Sequence, residues 1–450
     1  MRTFLIGLFC ILTFSAFSYG QQKDLSLKDA INIALQRNPT LQKANNNLQA
    51  TESNVKAAYG RFLPNISASG GWNWNRSESK GGSYNIGGFV INTPASISDS
   101  RSYSASANWS LDLFDGLSNF ASLSQSKKDL ESAQFQLENL KQNTVFQTIQ
   151  LYYTVVNDRQ LMGVKEDNLK WNKRNLETIT ERNKLGAVTL ADVYAAQVQE
   201  GNAQLDLIQA KNNFETAKSN LLYFLGLNVF DNYAYTDSLT QNELDMLKTD
   251  LSAHYQDISD LVNKALSNRN DYKSAVLDYQ SAQEGITIAR SGHLPSLTNN
   301  IRYYLNSNQL SDLVDSRTYS VSLSLNIPIF SGFSVENRVE QAEVNAMNKK
   351  VDMEDLERQI KQNIQTTFLN LQAAEQGLEV SKNNVKAGEE NLKITQGKYS
   401  LGSGTLLDVL TASYNYTNAR TNLVNAEFQY LVLSEQLKYY LGVLNYKKYE

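Results

Sequence analysis

The chain contains one nine-residue turn twice, LGAVTLADV at residues 185–193 and LGSGTLLDV at residues 401–409. The second copy begins 216 residues after the first, and the same interval separates FDG at 114–116 from FSG at 330–332. Landmarks that recur in the same order at one interval are typical of an internal repeat. The sequence therefore predicts a duplicated architecture.

A further pair of landmarks indicates where the two copies differ in length. The Leu-Pro pair at 63–64 recurs at 294–295, an interval of 231 residues. The first copy must then carry 15 extra residues, and the segment 76–101, rich in Gly, Ser and Asn, is the place for them. We predict that this segment is a loop.

The repeat divides the chain into a leader at 1–20, a first copy at 21–227, a linker at 228–257, a second copy at 258–442 and a polar tail at 443–450. Each copy is predicted to run helix, strand, strand, long helix, turn and helix. The strands are expected at 65–75, 102–113, 296–306 and 318–329, and the turns at 184–189 and 400–405.

The first twenty residues have the pattern of a cleaved secretory signal. Arg2 precedes an apolar run from 4 to 17, and small residues at Ser18 and Gly20 suit a cleavage site. Cleavage would leave Gln21 as the first residue and would remove Cys10, the only cysteine. No later stretch is apolar for long enough to form a transmembrane helix, so any membrane location must use strands.

Composition excludes several functional classes. Lys and Arg total 42 against 46 Asp and Glu, a net charge of −4, so no basic surplus favours nucleic acid. Two histidines and one cysteine leave too few ligands for a His/Cys metal site. The sequence also lacks a recognisable nucleophile–base motif. We therefore expect no metal, no cofactor and no enzymatic activity.

Two segments are predicted to be very long helices. Residues 117–183 and 333–399 contain no proline, and at 1.5 Å per residue each could reach about 100 Å. A seven-residue apolar period predicts left-handed coiled-coil packing. Plausible N-caps are Asp115 or Ser118 and Ser331 or Ser334. The apolar positions of the second long helix are Ile364, Leu371, Leu378, Val385, Leu392 and Tyr399.

The predicted strands alternate between apolar and polar residues over nine to eleven positions. A tilted transmembrane strand has this length, and aromatic residues near its ends suit a membrane interface. A soluble antiparallel sheet with one buried face would alternate identically, but it would need an apolar cover. We therefore predict a lipid-facing side that includes Trp72, Trp74, Trp109, Leu111, Leu323 and Leu325, with Ser110 and Ser324 facing a lumen.

Four strands cannot close a barrel, and unpaired strand edges are not tolerated in hydrocarbon. Several subunits must then share one barrel. Eight strands from a dimer would leave an interior filled by side chains, whereas twelve or sixteen would leave a lumen. The strands therefore predict an oligomer, with three or more subunits preferred.

Together these features resemble the outer membrane efflux proteins typified by TolC. The resemblance rests on ALQRNP at 34–39, the two Leu-Pro strand starts, the two Phe-x-Gly corners and the two nine-residue turns. It implies a mainly α fold with membrane β-structure: a homotrimer whose twelve-stranded outer-membrane barrel continues into a long coiled-coil helical barrel in the periplasm. Residues 228–257 resemble the segment that surrounds this helical barrel.

The resemblance also implies a function and partners. The protein would be the passive exit duct of a tripartite efflux or type I secretion system, embedded in outer-membrane lipid. It would dock on a periplasmic adaptor and an inner-membrane pump. The cargo is not encoded by the walls of such a duct. Adaptor docking would use the turns, which contain Leu185, Gly186, Thr189, Leu401, Gly402 and Thr405.

By the same resemblance, Asp192 and Asp408 line the periplasmic entrance, and Tyr399 belongs to its closed state. The alternative is that each aspartate only stabilises a helix N-terminus. Gly404 and Thr411 depart from the family pattern, where a basic and an acidic residue help to lock the entrance.

Two other functions fit parts of the sequence. A trimeric structural or adhesive protein could use a small barrel as its membrane anchor, although such anchors usually lie at one end of the chain. A soluble exported coiled-coil binding protein is the other alternative.

Overall fold

The computed structural model describes residues 23–235 and 258–448, which are mainly helical. The chain forms two compact units. Among the described residues, the helical unit combines 23–42, 140–235, 258–268 and 360–448, and the sheet unit combines 43–139 and 269–359. The leader at 1–20 and most of the linker, 236–257, lie outside the described residues.

The long helices and the helices that follow them occur in the predicted order in both copies. Helices α3 and α7 each have 67 residues, and the helices that follow them, α4 and α8, each have 35. The described helices are α1 Leu27–Arg37, α2 Pro39–Gly60, α3 Ser118–Lys184, α4 Leu190–Phe224, α5 Ile258–Asn268, α6 Asn270–Arg290, α7 Ser334–Ser400 and α8 Leu406–Tyr440.

The seven-residue period explains how the long helices pack. Ile364, Leu371 and Leu378 are 0%, 6% and 0% exposed, and Val155 is fully buried at the corresponding seam of α3. Heptad positions therefore turn inward, as predicted. Among the described residues, none of the helices has a segment apolar and long enough to cross a membrane.

Each copy was expected to begin with one helix, but the structure has two. In the first copy the break falls before Pro39, because a proline disfavours helical backbone at the preceding residue. The buried side chain of Asn38 accepts from the Thr40 amide at 2.9 Å and donates to the Phe224 carbonyl at 3.1 Å. In the second copy the break falls at Arg269, whose guanidinium pairs with Asp271.

The sheet unit contains a four-stranded antiparallel sheet in the order β2-β5-β7-β8. Both outer strands, β2 and β8, have one edge without a partner strand in the described chain. The strands are β1 Lys23–Leu25, β2 Asn65–Ser79, β3 Gly82–Ile86, β4 Phe89–Thr93, β5 Ser96–Asp115, β6 Tyr233–Tyr235, β7 Ser296–Ser307 and β8 Arg317–Asn326.

Three of the strand predictions need correction. Strands β2 and β5 extend beyond the predicted 65–75 and 102–113, because their ladder continues to the pair Ser79 and Ser96. The predicted loop 76–101 is therefore mostly strand, and its middle is the β3–β4 hairpin. Strand β8 stops at Asn326 rather than 329, because Pro328 has no amide hydrogen for a ladder.

The two sheet-to-helix corners use unusual backbone. Gly116 and Leu117 have φ values of 68° and 72°, and Gly332 and Phe333 have 62° and 61°. Two consecutive residues with positive φ reverse the chain before each long helix, and a non-glycine residue in this region is strained. Asp115 was a candidate N-cap, and its carboxylate accepts from the Asn119 amide at 2.7 Å.

Within the sheet unit, α3 packs on α6 through three pairs of polar side chains. Ser132 and Ser281 are only 2% and 6% exposed, so these contacts lie inside the helix–helix interface. The hydrogen-bonded pairs are Lys128 with Glu284, Asp129 with Ser281, and Ser132 with Asp278.

The chain ends of the helical unit were not predicted correctly. Strand β1 pairs in parallel with β6, so the start of the linker is part of a small sheet. The segment predicted as a polar tail packs instead into the core. Leu444 and Tyr446 are 7% and 4% exposed and contact Ile31, Val145 and Ile149.

Candidate channel entrance and sheet surface

Each long helix ends in a turn that exposes a leucine. Gly186 and Gly402 both have a φ of 74°, the left-handed conformation that favours glycine at the end of a helix. The Ala187 amide donates to the Arg182 carbonyl, and the Ser403 amide donates to the Lys398 carbonyl. Both hydrogen bonds reach back five residues and are 2.9 Å long. Leu185 and Leu401 are 84% and 86% exposed as a result.

The two threonines predicted at the turns begin the returning helices. The Thr189 hydroxyl accepts from the Asp192 amide at 3.2 Å, and the Thr189 amide donates to the Asp192 carboxylate at 2.9 Å. Thr405 and Asp408 make the same two bonds at the same distances. These reciprocal bonds are capping boxes. Both aspartates therefore cap helices, which is the alternative that the sequence left open.

Capping does not remove the charge of Asp408. Asp408 is exposed, and Asp192 is half-buried. Hydrogen bonds from the side chain and backbone of Thr405, with the nearby charge of Lys398, hold the pKa of Asp408 below its usual value. Asp408 is therefore ionised at neutral pH, so it carries a surface charge in addition to capping the helix.

Tyr399 lies in a small core near the turns. It packs on Ile179, Ala196 and Leu406, which are 0%, 1% and 5% exposed. The Arg182 guanidinium lies 5.2 Å from the centre of the Tyr399 ring, within reach of a cation–π interaction. The ring therefore joins α7 to α3 within one chain.

The structure explains one departure from the family pattern and shows two basic residues near the turns that were not predicted. A Cβ at Gly404 would lie 3.2 Å from the Cβ of Lys398, so a side chain there would force its neighbour to move. Lys398 itself supplies a positive charge near Asp408. Sequence reasoning missed Lys398 and Arg182, although basic residues in the last turn of a helix are a recognisable signal.

The sheet brings the predicted apolar residues to one face. Residues directly opposite each other on neighbouring strands share a face, and one row across all four strands reads Ile66, Trp109, Ile301 and Val321. Of the predicted residues on this face, Trp72, Trp74, Leu323 and Leu325 are 50–63% exposed, whereas Trp109 and Leu111 are half-buried.

The opposite face is polar. Ser69 and Ser106 hydroxyls lie 2.9 Å apart, and Thr298 donates to Asp112 at 2.9 Å. Ser110 and Ser324 belong to this face by register. Across the described residues, no group of three His, Cys, Asp or Glu side chains could hold a metal ion.

A sheet with an exposed apolar face, joined to long paired helices, defines a class of outer-membrane channel proteins. The chain belongs to the outer membrane efflux protein family, whose sequence model matches residues 30–227 and 261–443. The chain is similar to the outer membrane protein TolC of Escherichia coli, at 24% identity over 446 residues, covering 96% of this chain and 85% of the relative. TolC of Vibrio cholerae is 24% identical over 437 residues, covering 93% and 91%.

Solved structures share the fold. The CmeC outer membrane channel of Campylobacter jejuni superposes with a TM-score of 0.79 at 18% identity, covering 94% of this chain and 88% of the other. The outer membrane protein VceC of Vibrio cholerae gives 0.78 at 18% identity, covering 92% and 96%. These structures confirm the mainly helical fold, and the family match confirms the membership.

Proposed function

We propose that this outer membrane efflux protein is the passive exit duct of a tripartite efflux or type I secretion system. The observation that carries the proposal is the family match, which covers most of both predicted copies. Relatives of the chain include "Outer membrane efflux protein BepC" of Brucella suis and "Protein CyaE" of Bordetella pertussis. Neither the adhesive protein nor the soluble binding protein predicts such relatives.

We infer that three chains share one twelve-stranded barrel in the outer membrane. In the order β2-β5-β7-β8 each neighbour is antiparallel, so the two edge strands run in opposite directions. The β2 edge of one chain can then pair antiparallel with the β8 edge of the next, and three repeats close an all-antiparallel ring. Closure gives hydrogen-bond partners to the backbone amide and carbonyl groups of the strand edges, which lipid cannot supply. The apolar face would contact lipid and the serine-rich face would line the lumen.

Native mass spectrometry of the detergent-purified protein tests the assembly. We expect one species of three chains, each shortened by the predicted leader of residues 1–20. The mass of the chain then reports cleavage before Gln21 separately from the number of subunits. A monomer or dimer would contradict the shared barrel.

We further propose that the duplication arose from one ancestral unit, with boundaries at 21–227 and 258–442. The equal lengths of α3 and α7, and of α4 and α8, support this origin. Residues 228–257 would then be a linker outside the repeated units.

The turns are the proposed contacts with a periplasmic adaptor, and through it with an inner-membrane pump. Leu185 and Leu401 are large apolar side chains that the glycine-dependent turns hold in solvent, where they would supply apolar contacts to a docked partner. Thr189 and Thr405 fix the turn conformation through their capping boxes. Replacing both leucines with serine should abolish transport without changing the amount of assembled trimer.

The entrance is proposed to select cations. A trimer contains three copies each of Asp192 and Asp408, so six carboxylates would face one rim. Charges within about 8 Å act on one another at physiological salt, and acidic rings favour cations in other channels. With Gly404 and Thr411 in place of locking groups, the resting entrance should conduct readily.

Conductance in planar bilayers tests the entrance. Wild type should be cation-selective and blocked by a trivalent cation from the periplasmic side. Asp192→Asn with Asp408→Asn should weaken both effects and keep the trimer, because an asparagine oxygen can still cap a helix. Asp260→Asn with Glu340→Gln removes the same charge away from the turns and should change neither. Unchanged selectivity in the first variant would leave capping as the only role of the aspartates.

A further inference from the structure

A cavity of about 290 Å³ lies beside Tyr399, within the helical unit. Helix α3 contributes Arg174, Thr178 and Arg182 to its wall, and α7 contributes Gln396 and Tyr399. One water occupies about 30 Å³ in the liquid, so the space exceeds what a few waters need. The cavity is large enough for a small polar molecule.

The walls of the cavity are positively charged. Arg174, Thr178 and Arg182 are spaced four residues apart, which places them on one face of α3. No acidic side chain lines the cavity. Among the described residues neither guanidinium has a carboxylate partner, and the nearby Glu181 pairs instead with Lys184 at 2.7 Å.

Two residues that line the cavity each have a buried polar atom without a hydrogen-bond partner in the described chain, the Asn175 amide nitrogen and the Tyr399 hydroxyl. An amide nitrogen and a guanidinium can only donate, and a tyrosine hydroxyl can donate. Buried donors without acceptors cost free energy, so a ligand that accepts several hydrogen bonds would be stabilised at this site. Positive charge together with convergent donors defines a site for an anion with several oxygens.

We propose that this cavity binds an oxyanion group, with inorganic phosphate as its simplest ligand. Arg182 and Arg174 offer forked donors that match phosphate or carboxylate oxygens. Tyr399 and Gln396 would approach the same anion from α7. A bound oxyanion therefore links α3 to α7 near the turns. The site lies within one chain and does not depend on the proposed function.

Isothermal titration of the full-length purified protein tests the site, with Trp171 fluorescence as a second readout because this residue lines the cavity. Phosphate, sulfate, acetate and chloride are compared at equal ionic strength. We expect saturable binding of phosphate and sulfate and none of chloride. Acetate distinguishes the two kinds of site. A site for carboxylates would bind acetate as tightly as phosphate, whereas a site for phosphate would bind acetate more weakly.

Variants assign the binding to named groups. Arg182→Gln should weaken phosphate binding at least tenfold, and Tyr399→Phe, which keeps the packed ring, should weaken it severalfold. Lys173→Gln removes the same charge at a residue that is next to Arg174 but does not line the cavity, and should bind within twofold of wild type. The proposal is overturned if phosphate binds no better than chloride, or if Arg182→Gln binds as well as Lys173→Gln.

Discussion

Thr189 and Thr405 show how much of the turn geometry depends on single residues. Each closes a capping box with the aspartate three positions later. Replacing Thr405 with alanine removes the acceptor for the Asp408 amide and should destabilise the protein by about 1 kcal/mol. Thr154→Ala is the matched control, because this exposed threonine only bonds back to the Gln150 carbonyl within α3. Thermal unfolding of both variants measures the difference, and equal losses would contradict the capping role.

Gly116 and Gly332 occupy equivalent corners but have different surroundings. Both have positive φ, so alanine at either position carries a backbone cost of about 1 kcal/mol. At Gly116 a Cβ would also lie 2.8 Å from the Ser291 carbonyl oxygen and 2.9 Å from the Leu294 Cβ, whereas at Gly332 nothing lies within 4 Å. Gly116→Ala should therefore destabilise the protein clearly more than Gly332→Ala in denaturant unfolding. Equal effects would mean that the corner relaxes around the new methyl group.

Among single residues, the sequence was informative where local chemistry decides the outcome. The Thr-x-x-Asp spacing and the Leu-Gly pair each specify a local hydrogen-bond pattern, and the structure contains both. The sequence did not reveal that Arg182 covers the Tyr399 ring, because these residues are 217 positions apart and only the packing of α3 on α7 brings them together. Tertiary contacts of this kind have no local signature.

At the scale of the strand, the register predicts a large difference between neighbours. Leu323 is 63% exposed on the apolar face, and Ser324 lies on the polar face. If position 323 is near the bilayer midplane, Leu323→Arg should cost about 2–4 kcal/mol. Ser324→Arg should cost far less, because its side chain enters a watery lumen. Stability of the assembled protein measures both, and a reversed order would place the lipid on the other face.

The pairing of α3 with α6 should depend on pH. Burial raises the pKa of Glu284, but hydrogen bonds from Lys128 and Ser124 outweigh burial and leave this pKa below its usual value of 4.5. A carboxylate with a lowered pKa stabilises the fold above pH 4.5, and the contribution is lost as pH falls through the folded-state pKa. Wild type should therefore lose stability more steeply below pH 4.5 than Glu284→Gln.

The control for this pH dependence is Glu340→Gln, which removes an exposed carboxylate from α7. It should keep the steep acid response of wild type in thermal unfolding scans. If Glu284→Gln keeps the same steepness as well, the acid response belongs to other carboxylates.

Element lengths were predictable for helices and less so for strands. A proline-free heptad repeat specifies its own extent, and both long helices begin and end within one residue of the prediction. The extension of β2 and β5 through 76–79 and 96–101 was missed, because these stretches contain Glu78 and Asp99, acidic residues with weak strand preference, and pairing between the two strands keeps them in a ladder. The break at Arg269 was also missed, since no proline marks it.

For the whole molecule, the shared barrel predicts a seam between subunits. Cys10 is the only cysteine and lies in the proposed leader, so cysteines introduced into the cleaved chain report cleanly. Cysteine at Ser69 on β2, combined in turn with Ser320, Ser322 and Ser324 on β8, should yield disulfide-linked chains up to three in at least one combination. Denaturing electrophoresis under oxidising conditions separates the products.

Two further cysteine pairs serve as the positive and the negative control for this experiment. Cysteines at Ser69 and Ser106, whose hydroxyls lie 2.9 Å apart, should link within one chain. Cysteines at Ser69 and Asn300 should not link within one chain, because β5 lies between their strands. If the first pair links and no β2–β8 pair joins separate chains, the proposed seam does not exist.

The equal lengths of the two helix pairs restrict how such a protein can change in evolution. Near the turns, Ile179 of α3, Ala196 of α4 and Leu406 of α8 share one core, so the two hairpins must end at the same level. Deleting seven residues from α3 alone would withdraw its turn by about 10 Å and separate these side chains. Deletions of other lengths would also rotate apolar positions out of the seam. Shorter or longer descendants should therefore differ by whole heptads, gained or lost in all four helices together.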